Sequence, residues 1–264
     1  TLELVYDIEN LPGTSLQLYL WDGFETMRPV KKSYLIDTRL AGKTMANFGD
    51  SITGMGMRSY AENIQKNTGI TTINLGIGGA KMANQTNTNV DVLSMAETMR
   101  ALTTPDFDWA DQDAYVDSMI PDYIENPETQ AIYVHVENMK NLDLSTLDYA
   151  SIWFGTNDFT ANVVLDNPDD PYDVTTFGGA LRYSLDKLLE ANPDLKIMLI
   201  TPMYRDRQQK YNDPPNYSAD GKNSDDYPNN NGVYLTEYGD KIKEIAANYG
   251  ENIMVLDMYV ESGI

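Results

Sequence analysis

From Lys43 onward, short apolar runs alternate with helix-like segments, and no other feature of the chain constrains its fold as tightly. The runs 44–48, 70–75, 149–154, 196–200 and 252–256 have strand length and are bounded by turn-forming residues. Between them, 60–67, 92–102, 129–142, 174–190 and 235–249 read as helices. In 174–190 the side chains of Leu181, Leu185, Leu188 and Leu189 share a face, and Asn192-Pro193 stops the helix. In 129–142, Val134, Met139 and Leu142 have core-like spacing. Strands that alternate with helices imply a parallel sheet covered on both faces. The expected fold is therefore α/β: a three-layer α/β/α sandwich around a five-stranded parallel sheet. With 264 residues, 42% of them apolar, the chain can build such a core.

Residues 1–36 follow a different rhythm. Leu16-Gln17-Leu18-Tyr19-Leu20-Trp21 alternates with period two behind the turn signal Leu11-Pro12-Gly13, so a β-hairpin precedes the sandwich. Two strands alone are marginal in water. They either pack on the following domain or close an upstream β-sandwich, and the second origin is the favoured one. This divides the chain into a β segment at 1–36 and a main domain at 43–264. It opens already in a strand pattern and stops at Glu261-Ser262-Gly263-Ile264, so both ends read as cut from something longer. Two stretches break the alternation. Residues 105–126 are acidic and aromatic-rich and read as a short helical excursion. Residues 205–233 are long, polar and rich in Pro and Asn, the composition of a cover over a site.

Charge and composition exclude several function classes. Forty acidic against nineteen basic residues give a net charge of -21, which repels phosphate backbones, and no Lys/Arg cluster offsets it. Nucleic-acid binding is not expected; the acidic surface is solvated, with cationic partners or Ca²⁺ the sharper reading. No cysteine is present, so disulfides, thiolate metal sites and cysteine nucleophiles are out. No apolar run reaches the roughly 18 residues a bilayer span requires. Neither membrane insertion nor a metal or other cofactor is expected.

Three strings imitate known motifs and fail on spacing. Gly42-Lys43-Thr44 ends like a phosphate-binding loop, but Asp37 stands where its first glycine belongs, and a strand follows it instead of preceding it. Gly76-Ile77-Gly78 opens like a dinucleotide fingerprint, yet Lys81 fills the third glycine position. The run Asp166-Asn167-Pro168-Asp169-Asp170 lacks EF-hand spacing and reads as a solvated loop.

A stronger constellation sits at the ends of the first three strands of the main domain. Ser51 follows the first, Gly79 the second and Asn157 the third. In a parallel sheet these ends open on one edge, where α/β folds bind ligands. Acyl transfer needs a nucleophilic hydroxyl and donors aimed at the developing oxyanion. Ser51 offers the hydroxyl; the backbone N–H groups of Ser51 and Gly79 and the Asn157 amide offer the donors.

Gly49-Asp50-Ser51-Ile52, Asn74-Leu75-Gly76-Ile77-Gly78-Gly79 and Gly155-Thr156-Asn157-Asp158 together resemble the first three blocks of the SGNH (GDSL-type) hydrolases. The resemblance spans roughly 43–264. It implies a flavodoxin-like α/β/α fold and ester hydrolysis, often of acetyl groups on carbohydrate. Ser51 matches the family's nucleophile, and Gly79 and Asn157 match its oxyanion-hole donors. Leu20-Trp21-Asp22 and Met27-Arg28-Pro29 also look like the closing strand of β-sandwich modules that precede such domains in secreted bacterial proteins.

The family's fourth block, Asp-x-x-His, has no counterpart. The single histidine, His135, falls on a helix before the third strand, where it reads as partly exposed and not as the base. Asp257 ends the last strand and reads as structural. The catalytic Asp and His are thus expected beyond Ile264, and the chain as it stands is expected to be nearly inactive. The functional expectation is a serine esterase or deacetylase acting on acylated carbohydrate, within a larger secreted, cell-surface or phage-virion protein. A small-molecule or glycan ester is its substrate, and adjacent β-domains are its neighbours. The alternative is a non-catalytic glycan-binding or structural module, such as part of a phage tail or head fibre.

Overall fold

A computed structural model describes residues 17–21, 27–32, 38–54, 59–119, 127–204 and 228–261. Two strands, β1 (Gln17–Trp21) and β2 (Met27–Lys32), form an antiparallel pair of their own. The hairpin expected in the first segment is therefore present. A second sheet contains β3 (Thr44–Gly49), β4 (Thr71–Gly76), β5 (Tyr149–Trp153), β6 (Lys196–Ile200) and β7 (Ile253–Leu256). All its pairings are parallel, in the order β4-β3-β5-β6-β7. Counted within this sheet, that is the 2-1-3-4-5 order of flavodoxin-like folds.

The helices among the described residues are α1 (Ser51–Gly54), α2 (Tyr60–Thr68), α3 (Met95–Thr103), α4 (Ala110–Ser118), α5 (Pro127–Lys140), α6 (Thr156–Thr160), α7 (Phe177–Ala191), α8 (Leu235–Ala246) and α9 (Met258–Glu261). The core lies between sheet and helices. Ala46, Phe48, Ala150, Ile152, Ile197 and Leu199 from the strands meet Leu181, Leu185 and Leu188 of α7 and Ile242 and Ile245 of α8. The interior strand β3 is buried from Met45 to Gly49, as a parallel strand covered on both faces must be. Its polar Asn47 survives there because Ser151 Oγ donates to Asn47 Oδ1 at 2.9 Å, and Ser151 Oγ lies 2.8 Å from the Tyr60 hydroxyl.

Several helix boundaries differ from the sequence reading, each for a local reason. The expected helix at 92–102 splits: a 3-10 turn covers Asn89–Leu93, and Ser94 then caps α3 by accepting from Glu97 N. The helix expected from residue 174 starts at Phe177. The Val174 carbonyl instead accepts the Asn84 N–H at 2.8 Å, and Thr176 caps α7 through Gly179 N. The α5 core face is also shifted. Ile132, His135, Val136 and Met139 point inward, whereas Val134, read as a core position, is 52% exposed. His135 is correspondingly buried and not partly exposed. The helical excursion within 105–126 is seen as α4; residues 120–126, and 205–227 of the expected cover, lie outside the described residues.

The register places the site. Gly49 of β3 is level with Gly76 of β4 and with Trp153 of β5, so the first three strand tips end in one row. The connections diverge between β3 and β5, because one leads outward to β4 and the other toward β6. Ligands in open α/β sheets bind in the crevice at such a switch point, beyond the carboxyl ends of the strands.

Candidate active site

Ser51 opens α1 directly beyond the β3 tip. Asp50, itself buried, accepts Ile52 N on Oδ1 at 2.8 Å, and its carbonyl takes the N–H groups of Thr53 and Gly54. The turn is therefore capped by the residue before the serine. Gly49 is required just upstream, since a Cβ there would overlap Thr53 Oγ1 and come within 2.9 Å of Trp153 O. Neither the Ser51 hydroxyl nor its N–H has a hydrogen-bond partner among the described residues.

Beyond the β4 tip, Gly79 adopts φ +79, with nothing within 4 Å of the place a Cβ would take. Its N–H also has no partner among the described residues. The next residues are tied down one after another. Ala80 N donates to Ile77 O at 3.0 Å, and the carbonyls of Lys81 and Met82 accept from Met95 N and Ala96 N at the start of α3.

The β5 tip links the other two. Asn157 Nδ2 donates to Ala80 O at 2.9 Å and, more weakly, to Asp50 Oδ2 at 3.3 Å. One amide thus touches the neighbour of Gly79 and the neighbour of Ser51. The three positions singled out in the sequence meet on one edge of the sheet, at its switch point. A hydroxyl and two backbone N–H groups without partners among the described residues flank an amide whose two N–H bonds go to Ala80 O and, at the longer 3.3 Å, to Asp50 Oδ2.

Sequence reasoning missed the groups that hold this arrangement. Asp158 is wholly buried, and its two oxygens accept Met82 N at 3.0 Å and Ala83 N at 3.1 Å. Burial pushes its carboxyl up to about 6, against the opposing pull of those N–H groups and of Lys81. Lys81, noted earlier only for spoiling a glycine motif, is buried with its ammonium 2.9 Å from Asp91 Oδ1 and 3.0 Å from Asn87 Oδ1. The Lys81–Asp91 contact is ionic and off the hydrogen-bond direction, while Asp91 Oδ2 accepts the N–H groups of Asn87 and Thr88. A lysine following a Gly-Gly turn and an acid ten positions on carry no local pattern. The signal available in sequence was Asp158, the one acid of the Asn157-Asp158 pair.

His135 and Asp257 are engaged elsewhere. His135 Nδ1 sits 2.6 Å from Gly76 O, and burial lowers its pKa although that carbonyl opposes the shift. Asp257 Oδ2 pairs with Lys243 at 2.6 Å, and its Oδ1 accepts from Thr201 Oγ1 at 3.1 Å. Burial raises the Asp257 carboxyl, but Lys243 and Thr201 outweigh it and hold the group below its ordinary range.

No family model matches the sequence, and no curated protein matches it. Solved structures do resemble it. A protein from Lactobacillus plantarum is 20% identical, with 85% of this chain aligned to 80% of that one at a TM-score of 0.52. A possible lipase from Chitinophaga pinensis DSM 2588 is 22% identical over 83% of this chain and 68% of its own, with a TM-score of 0.48. A proposed GDSL-like lipase from Bacteroides ovatus ATCC 8483 is 15% identical over 81% and 84%, with a TM-score of 0.41. At these identities the likeness concerns fold alone, and the two lower scores carry no weight. The fold is the flavodoxin-like three-layer sandwich that the SGNH resemblance implies.

Proposed function

We propose that this chain is the serine ester hydrolase domain of an SGNH-type enzyme, acting on acylated carbohydrate outside the cell or on a virion surface. One observation carries the reading: the Asn157 amide bridges Asp50 and Ala80 and so gathers Ser51 and Gly79 at the switch point. Ser51 Oγ would attack the ester carbonyl carbon while its proton passes to a base. The carbonyl oxygen, gaining the electron pair, would take N–H groups from Ser51 and Gly79 and, once the 3.3 Å bond to Asp50 gives way, one from Asn157. Collapse expels the alcohol with a proton, and water then releases the acid from Ser51. The base that the resemblance implies is an imidazole, and the one histidine of these 264 residues is engaged with Gly76. Turnover of p-nitrophenyl acetate by this chain alone is therefore expected to be negligible. Loss of a triad histidine costs on the order of 10⁶ in kcat in the subtilisin case.

The buried His135 also favours a second reading, a glycan-binding or structural module that keeps the pocket without turnover. Covalent labelling separates the two. A fluorophosphonate, with free imidazole added to stand in for the base, should modify Ser51 alone as read by peptide mass, and Ser51→Ala should remain unmodified. Parent and Ser51→Ala behaving alike would remove the nucleophile and leave the binding module.

A further inference from the structure

The segment 80–83 hangs from two adjacent residues of α6. Asn157 holds the Ala80 carbonyl, and Asp158 holds the amides of Met82 and Ala83. Because Asn157 and Asp158 are covalent neighbours, these contacts lock the Gly79 turn to the residue that supplies the third candidate donor. Asn157 and the Ile77 N–H on Gly49 O tie the turn to the β3 tip.

We propose that Asp158 is a positioning residue for the oxyanion site: it sets the Gly79 N–H against the Asn157 amide by gripping the backbone just past the turn. The proposal deepens the esterase reading and rests on it. The carboxylate touches neither Ser51 nor the space in front of it; its influence passes through Met82 and Ala83. Complete burial makes the arrangement expensive, since a carboxylate in that position is retained at the cost of desolvation. The two N–H bonds offset part of that cost, and no other acceptor for those amides exists among the described residues. An apolar residue would strand both amides. An asparagine would turn one N–H₂ against an N–H.

The test uses fluorophosphonate labelling of the intact chain with imidazole present, resolved into kinact and KI. Asp158→Asn should lower kinact on the order of tenfold, with KI unchanged. A variant that is merely less folded would lose labelled amplitude and keep kinact. Equal kinact in parent and variant overturns the proposal while leaving Ser51 as nucleophile. Parent labelling no faster than Ser51→Ala removes the esterase reading, and the proposal with it. If Asp158→Asn does not fold, amide exchange on the parent decides. The Met82 and Ala83 amides should fall in the slowest-exchanging class and the Gly79 amide in a fast one; all three exchanging alike would overturn the hook.

Discussion

The turn that carries Ser51 and the loop that carries Gly79 are bridged by the Asn157 amide and are built by opposite means. The Ser51 turn is short and capped by its own Asp50, and it leaves the hydroxyl unengaged among the described residues. The Gly79 loop runs on to α3 and is pinned at nearly every residue from Ala80 to Asn84, partly by buried charge. The contrast fits the roles proposed for each part. A nucleophile must move toward carbon, so its surroundings need only aim it. Donors that stabilise developing charge are most effective when they need no reorganisation during reaction.

This contrast can be attacked where its energetic cost is greatest. Lys81→Met leaves Asp91 buried without its cation, and breaking such a pair costs about 3–5 kcal/mol. Chemical denaturation should show that loss. The double variant Lys81→Met/Asp91→Leu should recover much of it, because the stranded charge is gone. A single variant as stable as the parent would mean that buried charge does not hold the loop.

Asp158 gives the next largest effect, through pH. Its carboxyl titrates at about 6 in the folded chain against an ordinary 3.8, so the folded state holds the extra proton between those values. Stability from this group is full below pH 3.8 and is lost as pH rises to about 6, by roughly 3 kcal/mol. The parent should therefore lose stability relative to Asp158→Asn between pH 4 and pH 7, measured by denaturant unfolding of both. A gap that moves the other way would show that the two amides outweigh burial.

Gly79→Ala probes the turn itself. Space is open for the added methyl, so the cost is backbone strain at φ +79 alone, about 1–2 kcal/mol. Gly49→Ala, which forces overlap with Thr53, should cost more in the same unfolding assay. At the small end, Lys43→Met breaks an exposed pair with Asp148 at the opposite end of β3. Its melting temperature should match the parent's within error, setting a baseline for the Lys81 result.

Much of this layout was legible in the residues. Strand-length apolar runs between amphipathic segments identified the five strands, and the Lys196–Ile200 bounds were matched to the residue. Ser51, Gly79 and Asn157 stood out because each follows one of those runs. The α5 face was misread because Val134 and Val136 are equally apolar, and only docking on β4 chooses between them. The pairing of Lys81 with Asp91 went unrecognised because a charged residue reads as solvated unless its partner is known.

Local order along the chain determined which segments are strands and helices and which residues stand just past each strand, since both depend on periodicity and turn chemistry within a few neighbours. Only the tertiary structure decided that the first strand would lie between the second and third, with Gly49, Gly76 and Trp153 level. It alone also joined Asp158 to Met82 and Ala83, and Lys81 to Asp91. Such contacts span dozens of residues or depend on a burial that no local window records. Their strength comes from the exclusion of water, which exists only once the layers have closed.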